Sequence, residues 1–199
     1  MKTYVATKSA GKLPELRALF AGSALDLETY AAYEDVVEGE ASYADNALLK
    51  VRALRRQLRA AGMTGAVLAD DSGIEVDALA GRPGVLSARY AGVETPWPQR
   101  LAAMLSAIRG LPPERRGARF VCVMAFSDAE GAESVVTGTV SGRIADAPRG
   151  DRGFGYDPIF VDVRDGRTFA ELSAQEKNAI SHRRRAADAL LLRLGTLRG

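Results

Sequence analysis

Gly65-Ala66-Val67-Leu68-Ala69-Asp70-Asp71-Ser72-Gly73 is the stretch on which the reading of this chain turns. A short apolar run bounded by turn-forming residues reads as a buried strand, so the two acids stand where that strand emerges. Successive strand residues point to opposite faces, and only one of the two carboxylates can face a given cleft. Burying a carboxylate is costly, and two side by side repel each other. A cation has to meet them, and a divalent metal with oxygen ligands is one such cation. The plainer alternative is a strand followed by an acidic turn.

Working outward, Thr3 to Ala6 reads as a strand feeding the loop Thr7-Lys8-Ser9-Ala10-Gly11-Lys12. A helix then carries Leu13, Leu16, Leu19 and Phe20 on one face, with Pro14 in its first turn, where a missing N–H is harmless. Ala24 to Tyr30 is a second strand. Ser42-Tyr43-Ala44-Asp45 reads as a capping box, and behind it Ala44, Ala47, Leu48, Val51, Leu54, Leu58 and Ala61 recur at helical spacing. Beyond the two acids, Ile74 to Val76 continues the sheet and Gly81-Arg82-Pro83-Gly84 turns the chain. Pro98 to Ile108 is an amphipathic helix. Ala118 to Ser127 and Glu133 to Ile144 form a hairpin around Ala129-Glu130-Gly131. Ile159 to Val161 is a last strand, Ser173-Ala174-Gln175-Glu176 a second capping box, and Ala186, Ala187, Leu190, Leu191 and Leu194 mark a closing helix. Interspersed helices and strands with a central hairpin predict an α/β fold on a mixed sheet.

The chain has 199 residues, 47% of them hydrophobic and 26% charged, with a net charge of +2, which suits a soluble globular protein with a real core. That balance is too mild to demand a nucleic-acid partner. No run reaches the ~18 apolar residues of a membrane span, and the N-terminus lacks a signal-peptide core, so a cytoplasmic protein without membrane contact is expected. The single cysteine, Cys122, lies in an apolar run and reads as a small buried hydrophobe.

Several segments suggest chemistry. The Thr7–Lys12 loop opens a helix, where exposed backbone N–H groups and the positive dipole end suit an anion, and Lys8 and Lys12 add charge. Its spacing is not that of a P-loop. Asn46 and Lys50 share one helix face, leaving Lys50 either to reach solvent or to point its ammonium into a cleft. In Gly150–Pro158, glycines permit close backbone approach, and Phe154 and Tyr156 offer flat faces to a base. His182 heads the run His182-Arg183-Arg184-Arg185, which reads most simply as a solvated helix face.

Together these segments resemble the inosine triphosphate pyrophosphatase family. The resemblance rests on Ala6-Thr7-x-Ser9-x-x-Lys12, on Glu38 followed by Asn46-Ala47-x-x-Lys50, and on Ala69-Asp70-Asp71-Ser72-Gly73. It continues through Pro83-Gly84-x-x-Ser87-Ala88-Arg89-Tyr90, Gly153-Phe154-Gly155-Tyr156-Asp157-Pro158, and Glu171-Leu172, Glu176-Lys177 and Ser181-His182-Arg183, in family order over nearly the whole chain. Two positions depart from the pattern. Ser9 stands where the family usually has asparagine, and Glu38-Gly39-Glu40 where a Glu-Thr-Gly-like triplet is common.

The resemblance implies a long mixed β-sheet flanked by helices, with two lobes around a central cleft in one domain over residues 1–199. It also implies a homodimer. The implied reaction is hydrolysis of dITP, ITP or XTP to the monophosphate and pyrophosphate, with magnesium (Mg2+) as cofactor. Glu38 and Asp71 would be metal ligands, with Asp70 beside them, and Asp71 the general base. Thr7, Lys8, Ser9, Ala10, Gly11, Lys12, Lys50 and Ser72 would cradle the phosphates. Phe154, Gly155, Tyr156, Asp157, Lys177, His182 and Arg183 would select the purine. A nucleic-acid binder acting through Arg183–Arg185 is the competing reading from another class. The near-neutral charge balance and the paired aspartates oppose it.

Overall fold

The computed structural model describes residues 1–195. β1 (Lys2–Val5) lies in parallel between β2 (Asp26–Glu28) and β3 (Ala66–Val76), with Thr3 level with both Leu27 and Ala66. A parallel pair needs a crossover, and α1 (Lys12–Leu19) supplies the one from β1 to β2. β4 (Gly117–Ser127) and β5 (Glu133–Ile144) form the expected hairpin, whose turn is tied by the Asp128 carboxylate accepting from Gly131 N at 2.6 Å and Ala132 N at 2.8 Å. β6 (Phe160–Val161) runs antiparallel to β5. The sheet therefore has six strands in the order β2-β1-β3-β4-β5-β6, parallel at one end and antiparallel at the other. The mixed α/β architecture expected from the sequence is the one observed.

The chain forms two compact units. The first comprises Met1–Asp71, Cys122–Gly138 and the segment from Arg183 onward; the second comprises Ser72–Val121 and Thr139–His182. In the first, Leu16 and Leu19 of α1, its C-cap Phe20, and Ala186, Ala187 and Leu190 of α5 (His182–Arg193) pack on Val5, Leu68, Cys122, Met124 and Phe126 of the sheet. Cys122 is fully buried there, as its apolar setting predicts. In the second, Leu101, Met104 and Ile108 of α3 (Trp97–Ala107) and its C-cap join Ile74, Val76, Phe120, Ile144 and Phe160. Phe160 packs at 4.4 Å from Phe120 and 4.9 Å from Phe169. Among the described residues no helix is long and apolar enough to cross a membrane.

Four local expectations change. Asp70 and Asp71 do not end a strand: β3 runs unbroken for 11 residues through both, so the acidic-turn alternative fails. The second strand shrinks to three residues, because β1 offers partners only opposite Asp26–Glu28. Ile159 leaves the last strand for a 3-10 turn, Asp157–Ile159, opened by Pro158. On α2 (Tyr43–Ala60), Leu48 is half-buried, whereas Asn46 and Lys50 turn inward beside Ala47, Val51 and Leu54. That last difference is the first sign of a polar site on the helix's buried side.

Helix ends follow the residues at their caps. Ser42 Oγ accepts from Asp45 N at 3.1 Å and donates to the Asp45 carboxylate at 2.7 Å, so Asp45 is turned onto the Ser42 hydroxyl. At α4 (Ala174–Ile180) the box is complete: Glu176 N donates to Ser173 Oγ, and Ser173 N donates to the Glu176 carboxylate at 2.7 Å. Hydrogen bonds from the Ser173 backbone and side chain, then from Arg167, pull the Glu176 carboxyl down from 4.5 to about 2. A depressed folded pKa adds stability that is complete above the unfolded value and is lost as pH falls toward the folded one. Glu176→Gln should therefore lie below the wild type in urea melts at pH 7, and the gap should close as pH drops below about 4.5.

Candidate active site

The first unit gathers charge around the middle of β3. Alternation along the strand sends the two aspartates to different partners. Asp70 Oδ1 lies 3.2 Å from Lys12 Nζ, and Asp70 Oδ2 accepts from Arg183 Nε and Nη2, both at 3.3 Å. Arg183 Nη1 also pairs with the Glu15 carboxylate. Asp71 Oδ2 accepts from Asn46 Nδ2 at 3.0 Å, and Asp71 Oδ1 lies 3.5 Å from Lys50 Nζ. The same Lys50 ammonium pairs with Glu38 and donates to the Asp70 carbonyl at 3.2 Å. Lys50 thus points inward and is only 6% exposed, resolving the choice that its position on α2 left open.

Burial governs the electrostatics. It raises the Asp71 carboxyl, and the Glu38 charge raises it further; Lys50, Asn46 and Lys12 pull the other way and do not fully offset this. For Lys50, burial works against the charged form, but Asp71 and Glu38 outweigh it, and the ammonium is held more tightly than usual. At both groups, burial and the opposite charges beside it therefore work against each other.

Asn46 belongs to this charged cluster, although the candidate set left it out. It bonds Asp71 and also clamps the 38–40 loop, accepting from Gly39 N at 2.8 Å and donating to Gly39 O at 3.3 Å. Its signal was the i, i+4 spacing with Lys50. Glu15 was missed too; nothing local distinguishes it from a solvent-facing helix glutamate. In the first loop, Thr7 Oγ1 accepts from Ser9 N at 3.1 Å, Gly11 caps α1 with helical φ and ψ, and Lys8 and Ala10 are exposed.

The second unit holds the other candidates. The Asp157 carboxylate accepts from Phe154 N at 2.8 Å and from Lys177 Nζ at 2.5 Å. Lys177 Nζ also sits 4.8 Å from the centre of the Phe154 ring, in cation–π range. Phe154 is half-buried, whereas the Tyr156 ring is 3% exposed and its hydroxyl donates to Ser87 O at 3.0 Å. His182 is buried and stacks on Phe120 at 4.7 Å. Ser72 is half-buried on β3, just past Asp71.

The arginine run is not a solvated basic face. Arg183 is 2% exposed, Arg184 pairs with Asp188 at 2.9 Å, and only Arg185 is exposed. Removing one partner of a buried ion pair leaves the others uncompensated, so Arg183→Ala should cost about 3 kcal/mol of unfolding free energy in denaturant titrations. Adding Asp70→Asn should restore part of that loss.

The geometry has counterparts among known proteins. A family model described as "Ham1 family" matches residues 3–192. A "dITP/XTP pyrophosphatase" of Symbiobacterium thermophilum is 46% identical over 198 residues, covering 98% of this chain and 96% of that protein. A protein of the same name from Geobacillus kaustophilus is 45% identical, covering 94% and 90%. Among solved structures, a HAM1 protein from Coxiella burnetii superposes with a TM-score of 0.85 at 36% identity, covering 98% of both chains. Matched along almost its whole length in sequence and in structure, the chain belongs to the Ham1 family.

Proposed function

We propose that this chain is a pyrophosphohydrolase that cleaves non-standard purine nucleoside triphosphates, dITP, ITP and XTP, to the monophosphate and pyrophosphate. Such an enzyme keeps deaminated purines out of DNA and RNA. The observation that carries the reading is the convergence of Glu38 and Asp71 on one buried ammonium, with Lys12 at the neighbouring Asp70. A triphosphate needs both cations and a base, and this cluster supplies them. The relatives named dITP/XTP pyrophosphatase, at 45–46% identity, support the substrate class.

Glu38 and Asp71 both reach a single cation, which is what a shared metal requires of them. No group of three or more His, Cys, Asp or Glu side chains suited to a metal occurs among the described residues. Two hard oxygen ligands nevertheless fit magnesium, which keeps several waters and completes its shell with substrate phosphates. Glu38 and Asp71 would hold it, and when bound it supplies positive charge to the phosphate oxygens.

Asp71 is assigned the proton. A water attacks the α-phosphorus, Asp71 accepts its proton, and the bond from that phosphorus to the bridging oxygen breaks, releasing pyrophosphate. A carboxyl raised by burial is a stronger base than a solvated one. Lys12 and Lys50 offset charge developing on the leaving group, and the Thr7–Gly11 loop with Ser72 cradles the phosphates. Phe154 stacks on the purine. Lys177, His182 and Arg183 offer N–H donors to an acceptor oxygen at C6, where adenine presents an amino group; Asp70 and Glu15 orient Arg183. Asp157, Tyr156 and Gly155 shape the loop that carries Phe154. Polar mismatches of this kind discriminate by about 10⁴ or more. We further propose that residues 1–199 act as one domain, as a cytoplasmic homodimer without nucleic-acid or membrane partners.

Phosphorus NMR with magnesium and dITP, run beside dGTP and dATP, should show dITP converted to monophosphate plus pyrophosphate and the other two largely spared. Orthophosphate as the product would refute the mechanism. Asp71→Asn should abolish turnover while circular dichroism stays native. Arg183→Ala, assayed below its lowered melting point, should erode dITP-over-dATP selectivity more than inhibition by inorganic tripolyphosphate.

A further inference from the structure

Trp97 is the sole tryptophan of the chain, and at 38% exposure it is not spent on the core. It stands at the first position of α3, within the second unit. Its indole rests against the loop that carries Phe154. A Cβ added at Gly155 would lie 3.5 Å from Trp97 Cη2 and 3.8 Å from Cζ2 and Cζ3, so the ring lies directly on that glycine. The indole also meets Tyr156 edge to face, with centroids 5.3 Å apart.

Behind the indole stands a fixed support. The Arg100 guanidinium sits 4.7 Å over the Trp97 ring. It donates to the Ala88 carbonyl, to Gly92 O at 2.9 Å, to Val93 O at 3.3 Å and to Thr95 O at 2.9 Å. Arg100 is 4% exposed, so a buried charge ties the Ala88–Thr95 carbonyls to the Trp97 indole.

The Phe154 loop needs such a support. Gly153 and Gly155 flank Phe154 with φ of +72° and +66°, a backbone that is free to move unless something holds it. Asp157 holds one side through Phe154 N, and a side chain on Gly153 would run into that carboxylate. The other side is Gly155, and Trp97 is what packs on it.

We propose that Trp97 is a positioning residue for purine recognition: it backs the Gly153–Asp157 loop and so fixes the plane of Phe154 on which the base stacks. The inference rests on the proposed function, because only a base-selecting enzyme makes use of that plane. A firm platform lets the donors judge the purine edge; a loose one lets misfitting bases find compromise poses.

The test is steady-state kinetics of wild type, Trp97→Phe and Trp97→Ala with dITP and dGTP, together with inhibition by inorganic tripolyphosphate. For Trp97→Ala, KM for dITP should rise about tenfold, the size of a lost aromatic contact, and the dITP-to-dGTP preference should fall. Tripolyphosphate, which has no base, should inhibit as before, and Trp97→Phe should restore most of the preference. Inosine monophosphate should shift the tryptophan emission of the wild type, a readout independent of whether any variant folds. Unchanged KM and preference in Trp97→Ala, equal weakening of tripolyphosphate, or an unresponsive emission would each overturn the role of Trp97. A wild type that leaves dITP intact would overturn the function itself, and the wild-type arm alone reveals that case.

Discussion

Two adjacent carboxylates lie buried in the middle of β3, and the first unit is organised around holding their charge. The pleat sends Asp70 to Lys12 and Arg183, and Asp71 to Asn46 and Lys50. Those partners come from the start of α1, from α2 and from the start of α5, so three distant segments are bound to one strand by electrostatics. Removing the aspartates would leave Lys50 and Arg183 as buried cations short of counter-charge.

Such a cluster is a poor way to gain stability. Desolvating ions costs as much as their pairing returns, and apolar residues of equal volume often serve a fold better. The apolar groups of the first unit already form a continuous core from Val5 to Leu191. The charges are therefore better suited to chemistry than to stability: a carboxyl raised by burial, one ammonium beside it, and a second carboxylate on that same ammonium. Asn46 ties this cluster together, since one amide bonds both the Asp71 carboxylate and the 38–40 loop.

The second unit solves a different problem with the same economy. A glycine-rich loop carries one half-buried aromatic ring, Phe154, and glycine backbones do not stay in place unaided. Asp157 closes the loop on itself and on Lys177, which in turn lies over the Phe154 ring. Tyr156, read from the sequence as a second stacking face, is used as an anchor: its hydroxyl bonds Ser87 O and its ring is buried. Aromatic composition alone does not say which ring the fold buries.

Periodicity and caps made most elements legible. The long α2, the β4–β5 hairpin and the capped α4 lie close to where their residue patterns put them, because these patterns reflect local hydrogen bonding and one-sided burial. The motif blocks likewise identified the family. Less legible were features set by distant partners. Asp70-Asp71 looks like a strand end until Lys12, Asn46, Lys50 and Arg183 are seen to neutralise it in mid-strand. The arginine run looks solvated until Asp70 and Glu15 claim Arg183. Trp97 has no local signal at all, since its place on Gly155 joins residues 58 apart in the chain. Residue pattern alone gave most of the elements, the family and the chemical types of the candidate residues, but not every boundary. Only tertiary structure decided which charges meet, because an ion pair depends on distance in space and leaves no period in the chain.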